Sequence, residues 1–144
     1  MEIDAAADEL FELTQDYDRR LAWDPFMKAA TLLGEAKEPG IGVTVSCVSH
    51  SGFAMETEYV SYRPPSVAAV TMTRGPWFIS RFAGSWRFKK IDQRCTRVTF
   101  QYQIVGGPRW ICWLMTPLLN SIFSRGARRR LLGLMQFAAS KHSE

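Results

Sequence analysis

A chain of 144 residues has the common size of one domain and is long enough to bury a core without disulfide or metal staples. Hydrophobic residues make up 47% and charged residues 22%, a globular composition that excludes long disordered segments. The net charge of +4 is mildly basic, and without an aromatic platform beside the short arginine cluster it argues against nucleic acid as a partner. We expect residues 1–144 to form one domain.

The cysteines predict a reducing compartment. Cys47, Cys95 and Cys112 are odd in number and widely spaced, which favours free thiols over a disulfide framework or a zinc site. The first residues lack the basic and apolar pattern of a secretion signal, so we expect a cytoplasmic protein. No glycine-rich phosphate loop or zinc-ligand spacing appears, so we expect no cofactor. The uncharged stretch 110–123 is shorter than the roughly 20 apolar residues that a membrane-spanning helix needs.

The first predicted elements are two helices. Residues 4–16 combine an apolar stripe with acidic residues in the first turns, and Asp4 is a candidate cap. A second, short helix is predicted over residues 18–23, because Pro25 limits its extension.

The middle of the chain alternates with the period of two that is typical of strands. The clearest strand has Val98, Phe100, Tyr102 and Ile104 on one face and polar residues on the other, as expected for a sheet with one buried face. Short turns between consecutive strands indicate an antiparallel meander of about six strands. The strands read from the pattern are 43–47, 54–62, 67–73, 78–90 and 96–105.

The last predicted element is a helix over residues 109–141, which completes an α+β fold. Its apolar residues fall on two nearly opposite faces, and a straight helix cannot bury both against one sheet. One interpretation is a break near residues 124–126 or a kink at Pro117. The other is an exposed apolar stripe in the first half of the helix. The residues of that stripe are Ile111, Leu114, Met115, Leu118, Leu119, Ile122 and Phe123.

An exposed stripe predicts a partner. A second copy of the chain would bury it in a homodimer, whereas Trp110 and Trp113 near a run of arginines favour peripheral contact with a membrane. Both interpretations remain open at this point. The run itself, which consists of Arg125, Arg128, Arg129 and Arg130, is interpreted as a solvated helix face.

Several segments together are similar to a known family. They are the opening Ile3–Phe11, the helix and Trp-Asp-Pro segment Tyr17–Phe26, the turn Tyr62–Pro65, the pair Thr96-Arg97 and the closing run Leu131–Leu134. On these segments the whole chain resembles the polyketide cyclase/dehydrase and lipid-transport family of the START-like (SRPBCC) superfamily.

The resemblance implies a helix-grip fold, in which a curved antiparallel sheet of six to seven strands wraps around the long C-terminal helix and leaves a cavity between them. Members of the family include aromatic polyketide cyclases, lipid carriers and ubiquinone-binding proteins. The first strand of the family normally precedes the Ile-Asp-Ala segment, so we expect a short or missing first strand in this chain. An open sheet edge there is a second reason to expect a dimer.

The candidate ligand-binding residues are mainly aromatic and lie near the expected cavity. Ordinary core packing is the alternative for each of them. Asn120 differs, because its amide can orient a ligand carbonyl or bond a backbone group. The full set is Trp23, Phe26, Tyr59, Phe82, Trp86, Phe100, Tyr102, Trp113 and Asn120.

The resulting function hypothesis is a carrier or sensor of a lipid, an isoprenoid quinone or a polyketide. A cyclase, dehydratase or aromatase is the alternative, and a dimeric or membrane-docked interaction module is the second alternative. Catalysis would need an acid or base in the cavity, yet no spacing singles out a pair, and the two histidines are isolated. The groups available for it are Glu56, Glu58, Tyr59, Arg81, Arg87 and Tyr102.

Overall fold

A computed structural model describes residues 1–143 and shows a seven-stranded sheet, three helices and the α+β helix-grip architecture that the resemblance predicts. All neighbouring strands are antiparallel, in the order β1-β7-β6-β5-β4-β3-β2. The helices are α1 (Ala7–Gln15), α2 (Tyr17–Trp23) and α3 (Cys112–His142). The strands are β1 (Glu2–Ile3), β2 (Met27–Leu32), β3 (Thr44–Ser49), β4 (Ala54–Arg63), β5 (Val67–Arg74), β6 (Ile79–Lys90) and β7 (Thr96–Gly106).

The two N-terminal helices follow the predicted positions, with a different first cap. Helix α1 begins at Ala7 and not at residue 4, and Ala6 at its N-cap makes no side-chain bond. Asp4 does not cap because the chain first pairs as β1 and then turns, with the carbonyl of Ala5 held by the Thr96 hydroxyl at 2.8 Å. Asp16 instead caps α2 by accepting the backbone N–H groups of residues 18 and 19.

The sheet adds two strands to the pattern read from the sequence. Strand β2 was not predicted, because apolar and polar residues do not alternate regularly in its sequence MKAATL. Strand β1 is present and short, and it pairs only with the first residues of β7 through Glu2–Arg97 and Ile3–Thr96. Strands β6 and β7 follow the predicted period of two, because Trp86 lies opposite Phe100 and both face the inside of the curve.

Helix α3 runs without a break across the concave face of the sheet, so the predicted break near residues 124–126 is wrong. Residues at intervals of three or four form one continuous stripe that faces the sheet along the whole helix. Gly126 and Arg130 belong to this stripe. At Gly133 the helix comes so close that an added Cβ would lie 2.5 Å from the carbonyl oxygen of Trp23. The inward stripe consists of Met115, Leu119, Phe123, Gly126, Arg130, Leu134 and Ala138.

The exposed-stripe interpretation is correct only in part, because Met115, Leu119 and Phe123 of the predicted stripe face the sheet. Leu114, Leu118 and Ile122 are each about half exposed, and Trp113 is 73% exposed. Within residues 1–143, no helix combines the length and the apolar composition needed to cross a bilayer.

Candidate functional site: a cavity between the sheet and the long helix

The concave face of the sheet and helix α3 enclose a cavity of about 350 Å³. This volume lies within the range of roughly 300–1,000 Å³ that is typical of small-molecule sites. Residues of strands β2 to β7 form the wall opposite the helix, and α2 covers one end. The wall is predominantly apolar, so the cavity suits a hydrophobic occupant.

One end of the cavity opens between half-exposed apolar side chains, and we call it the mouth. Phe53, from the β3–β4 turn, packs edge-to-face on Phe78 with ring centroids 4.9 Å apart and remains 50% exposed. On the other side, Leu118 and Ile122 of α3 line the cavity and also face solvent. Trp77, beside Phe78, is 74% exposed.

The opposite end, the closed end, is buried and charged. The carboxylate of Asp24 lies between two arginines, with Arg20 Nε 3.0 Å from Oδ2 and Arg130 Nε 3.2 Å from Oδ1. Oδ1 also accepts the backbone N–H of Phe26 at 2.9 Å. The side chain of Asp24 has no exposed surface, and Arg20 and Arg130 are 5% and 8% exposed.

The pKa values at the closed end follow from burial and from this pairing. Burial alone would raise the pKa of Asp24, but the two guanidinium groups hold it below its ordinary value. Burial, aided by repulsion from Arg20, lowers the pKa of Arg130 to about 10, against the attraction of Asp24. All three groups therefore remain charged at neutral pH, and two positive charges share one negative charge.

A chain of hydroxyl groups lies beside the arginines. The Tyr59 hydroxyl donates to Oε1 of Gln15 at 2.6 Å and lies 2.6 Å from the hydroxyl of Tyr17. Because the single proton of Tyr59 is already used, the Tyr17 hydroxyl must be the donor in that pair. Burial raises the pKa of both tyrosines, which therefore remain protonated at neutral pH.

Comparison with known proteins assigns the family. The family model described as polyketide cyclase/dehydrase and lipid transport matches residues 1–136. The chain belongs to this family. Among curated proteins, no sequence matches this chain.

Solved structures of similar architecture share little sequence with this family member. The ZhuI aromatase/cyclase from Streptomyces sp. R1128 is 16% identical, with a TM-score of 0.81 over 96% of this chain and 90% of that one. A START superfamily protein from Mycobacterium smegmatis is 10% identical, with a TM-score of 0.82 over 97% and 94% of the two chains. At these identities the likeness shows the fold, so the family and the helix-grip fold predicted from the sequence are confirmed.

Five of the nine candidate ligand residues line the cavity of this family member. Tyr59 and Trp86 lie toward the closed end, whereas Phe26 and Phe82 meet Phe123 of α3 with centroid distances of 5.7 and 5.6 Å. The set brought together is Phe26, Tyr59, Phe82, Trp86 and Phe100.

The other four candidates lie outside the cavity wall. Trp23 is core, because its indole N–H donates to the carbonyl of Leu13 at 3.1 Å and its ring packs edge-on against Trp86. Trp113 points to solvent. Tyr102 and Asn120 line a more open groove instead, where the Tyr102 hydroxyl donates to the backbone carbonyl of Asn120. The Asn120 amide donates to the carbonyl of residue 116, one helical turn back.

Sequence reasoning missed the most polar part of the site. Arg130 was assigned to a solvated arginine face, and the structure corrects this, since only Arg125, Arg128 and Arg129 of that run are exposed. The available signal was the spacing, because Arg130 lies seven residues after Phe123 and four before Leu134, both on the inward stripe. Arg20, four residues before Asp24, gave the second signal.

The groups considered for acid–base catalysis are mostly outside. Thr57 and Tyr59 of β4 face the cavity, so Glu56 and Glu58 between and beside them face the outer surface. Along the cavity wall within residues 1–143, no Asp, Glu or His side chain appears. Burial raises the pKa of the Cys47 thiol in the wall, which keeps it protonated at neutral pH. Nowhere in the same residues do three His, Cys, Asp or Glu side chains cluster closely enough to hold a metal ion.

Proposed function

We propose that this family member is a carrier or sensor that binds a hydrophobic small molecule, such as a lipid, an isoprenoid quinone or a polyketide, in the cavity under α3. The observation that carries the proposal is the apolar cavity of about 350 Å³ with an apolar mouth at one end. A ligand can bury its surface there without breaking protein contacts. The five candidate aromatics on the wall would then contact the ligand.

A neutral fluorescent probe tests this proposal. N-phenyl-1-naphthylamine should bind with one molecule per chain and a blue-shifted emission. Filling the cavity with Ala68→Phe should weaken this binding at least about tenfold, because Ala68 is buried in the wall. The control is Ala69→Phe, since Ala69 follows it on the same strand and faces the other side of the sheet. No saturable binding to the wild-type protein would overturn the proposal.

Among residues 1–143, no carboxylate or imidazole on the cavity wall is available as a base, which favours a carrier over a cyclase. Polyketide cyclisation needs a group that removes an acidic proton and a donor for the developing enolate. Arg130 could serve as the donor at the closed end, which is the observation in favour of a cyclase. However, the ionisable groups on the described wall are arginine, tyrosine and cysteine, and burial keeps the tyrosines and the thiol protonated.

We further propose that the mouth docks on an anionic membrane surface, where the ligand is taken up or released. The exposed stripe of Leu114, Leu118 and Ile122 continues along α3 into the exposed Arg125 and Arg129, which share its helical sector. Apolar side chains followed by arginines suit an interface of acyl chains and anionic headgroups. Exposed Trp110 and Trp113 flank the stripe and suit the same interface.

A homodimer through the same stripe is the weaker alternative. Helix α3 contains no acidic residue between Cys112 and His142, so the arginines of a second copy would meet apolar or like-charged surface on this helix.

We place the protein in the cytoplasm, a proposal supported by the three free thiols.

Vesicle flotation distinguishes the two partners. The protein should float with vesicles of phosphatidylcholine and phosphatidylglycerol, less with phosphatidylcholine alone, and less at high salt. Trp113→Glu combined with Leu114→Glu should abolish flotation, because it replaces two exposed apolar side chains with negative charges. Neither residue lines the cavity, so the change should leave ligand binding intact. Gln101→Glu with Gln103→Glu, on exposed positions of β7, adds the same charge elsewhere. A wild-type dimer in native mass spectrometry that the helix variant dissociates would instead support the homodimer.

A further inference from the structure

The closed end of the cavity holds more positive charge than its own residues neutralise. Arg20 and Arg130 share the single carboxylate of Asp24, which lies behind the cavity wall, and no acidic side chain lines the cavity within residues 1–143. Burying an unmatched charge among apolar groups is costly, so a fold that retains one at the end of an apolar cavity requires an explanation.

The donors of Arg130 are only partly used. Its Nε bonds to Asp24, but among residues 1–143 the two terminal nitrogens have no protein acceptor. The guanidinium carbon lies 4.3 Å from the ring centroid of Phe26 and 5.5 Å from that of Phe100. The aromatic faces hold the group in place and offset part of its charge, yet they accept no hydrogen bond in its plane.

The neighbouring polar groups do not compete for those donors. The Tyr17 hydroxyl donates its hydrogen bond to Tyr59, and the Tyr59 hydroxyl donates to the Gln15 side chain. Arg20 has a second bond, from Nη1 to the carbonyl of Thr14 at 3.2 Å. Arg130 is therefore the group at the closed end with the most unused donor capacity toward the cavity.

We propose that the ligand is an amphipathic acid, whose apolar body lies along the cavity and whose carboxylate or similar small anionic oxygen group is bound by Arg130 at the closed end. This inference rests on the proposed function, since it names the class of ligand that the same cavity accepts. With a pKa of about 10, Arg130 is protonated at neutral pH and can receive an anion. The anion would restore the balance of two negative and two positive charges, and it would accept charge-assisted hydrogen bonds among mainly apolar side chains.

A matched pair of ligands tests the inference on the wild-type protein. Decanoate and 1-decanol have the same carbon chain and differ in charge at mildly alkaline pH. With N-phenyl-1-naphthylamine bound as the neutral reporter, decanoate should displace it at a concentration about tenfold lower than 1-decanol. Equal displacement by both ligands, or a preference for 1-decanol, would overturn the inference while the proposed function stands. If the reporter itself does not bind, the proposed function and this inference fail together.

Removal of one arginine locates the preference. Arg130→Met leaves the Arg20–Asp24 pair neutral and should fold, with the reporter still bound and the advantage of decanoate lost. Arg129→Met is the control, because Arg129 is the adjacent residue, is exposed and lies outside the cavity wall. If Arg130→Met keeps the full preference, or if Arg129→Met loses it equally, the anion binds elsewhere and the inference is wrong. The wild-type comparison decides the matter if Arg130→Met fails to fold.

Discussion

The two ends of the cavity differ in almost every physical respect. At the closed end, Asp24 and the two arginines are buried and joined by hydrogen bonds near 3 Å. At the mouth, the apolar side chains of Phe53 and Ile122 are about half exposed and line the cavity. The closed end is therefore a fixed polar structure, whereas the mouth is a partly exposed apolar surface.

The difference gives the site a direction. An apolar ligand gains burial anywhere along the wall, but only the closed end offers charge. An amphipathic acid would enter with its charged group first and leave its apolar tail toward the mouth. If the mouth docks on a membrane as proposed, the same tail would meet its acyl chains.

The largest effect is expected from Asp24→Asn at the closed end. The change leaves two buried arginines without a carboxylate and should lower the free energy of unfolding by about 3–5 kcal/mol at neutral pH. Urea unfolding followed by tryptophan fluorescence measures it. The control, Asp18→Asn on an exposed position of α2, should stay within about 0.5 kcal/mol of the wild type. A small effect at Asp24 would show that the closed end is not held by this ion pair.

The pH dependence of that effect follows from the lowered pKa of Asp24. A carboxyl group whose pKa is lower in the folded than in the unfolded state stabilises the fold above its unfolded value, about 3.9, and loses this contribution as pH falls through the folded value. The gap between the wild type and Asp24→Asn should thus be full above about pH 5 and narrow on acidification. A gap that stayed constant down to the lowest pH would contradict the charged pairing.

A smaller effect is expected where α3 approaches the closed end. Gly133→Ala places a Cβ 2.5 Å from the carbonyl oxygen of Trp23, so the helix must shift, and we expect a loss of about 1–3 kcal/mol. The matched change Gly126→Ala meets only the Phe26 ring at 3.7 Å and should stabilise the helix by about 0.5–1 kcal/mol. Thermal unfolding of both variants checks the opposite signs. Stabilisation by Gly133→Ala would show that the helix is farther from residue 23.

The smallest effect on stability is expected at the mouth. Phe53→Ala removes a half-exposed ring that packs on Phe78, which should cost about 1 kcal/mol. The same change should weaken binding of the neutral reporter more than it weakens the fold. Thermal unfolding and reporter titration on the same sample separate the two effects. A loss of stability as large as that of Asp24→Asn would remove the contrast between the ends.

The sequence predicted the fold better than the charged part of the site. Strands β6 and β7 were visible because alternating apolar residues need no knowledge of distant contacts. The resemblance supplied the cavity, and the period of two in the strands pointed to Phe82, Trp86 and Phe100 of its wall. The role of Arg130 could not be predicted, because a charged residue beside exposed arginines is expected to face solvent. Its burial is explained only by the tertiary position of Asp24. Trp23 shows the reverse case, in which a predicted ligand residue fills the core.

The most direct test of a cavity with one charged end is a crystal structure of the protein with bound decanoate. We predict that the alkyl chain lies between α3 and the sheet, with the carboxylate within hydrogen-bond distance of Arg130 and the tail toward Phe53 and Leu118. Decanoate bound outside this cavity, or inside it with the carboxylate at the mouth, would contradict the account.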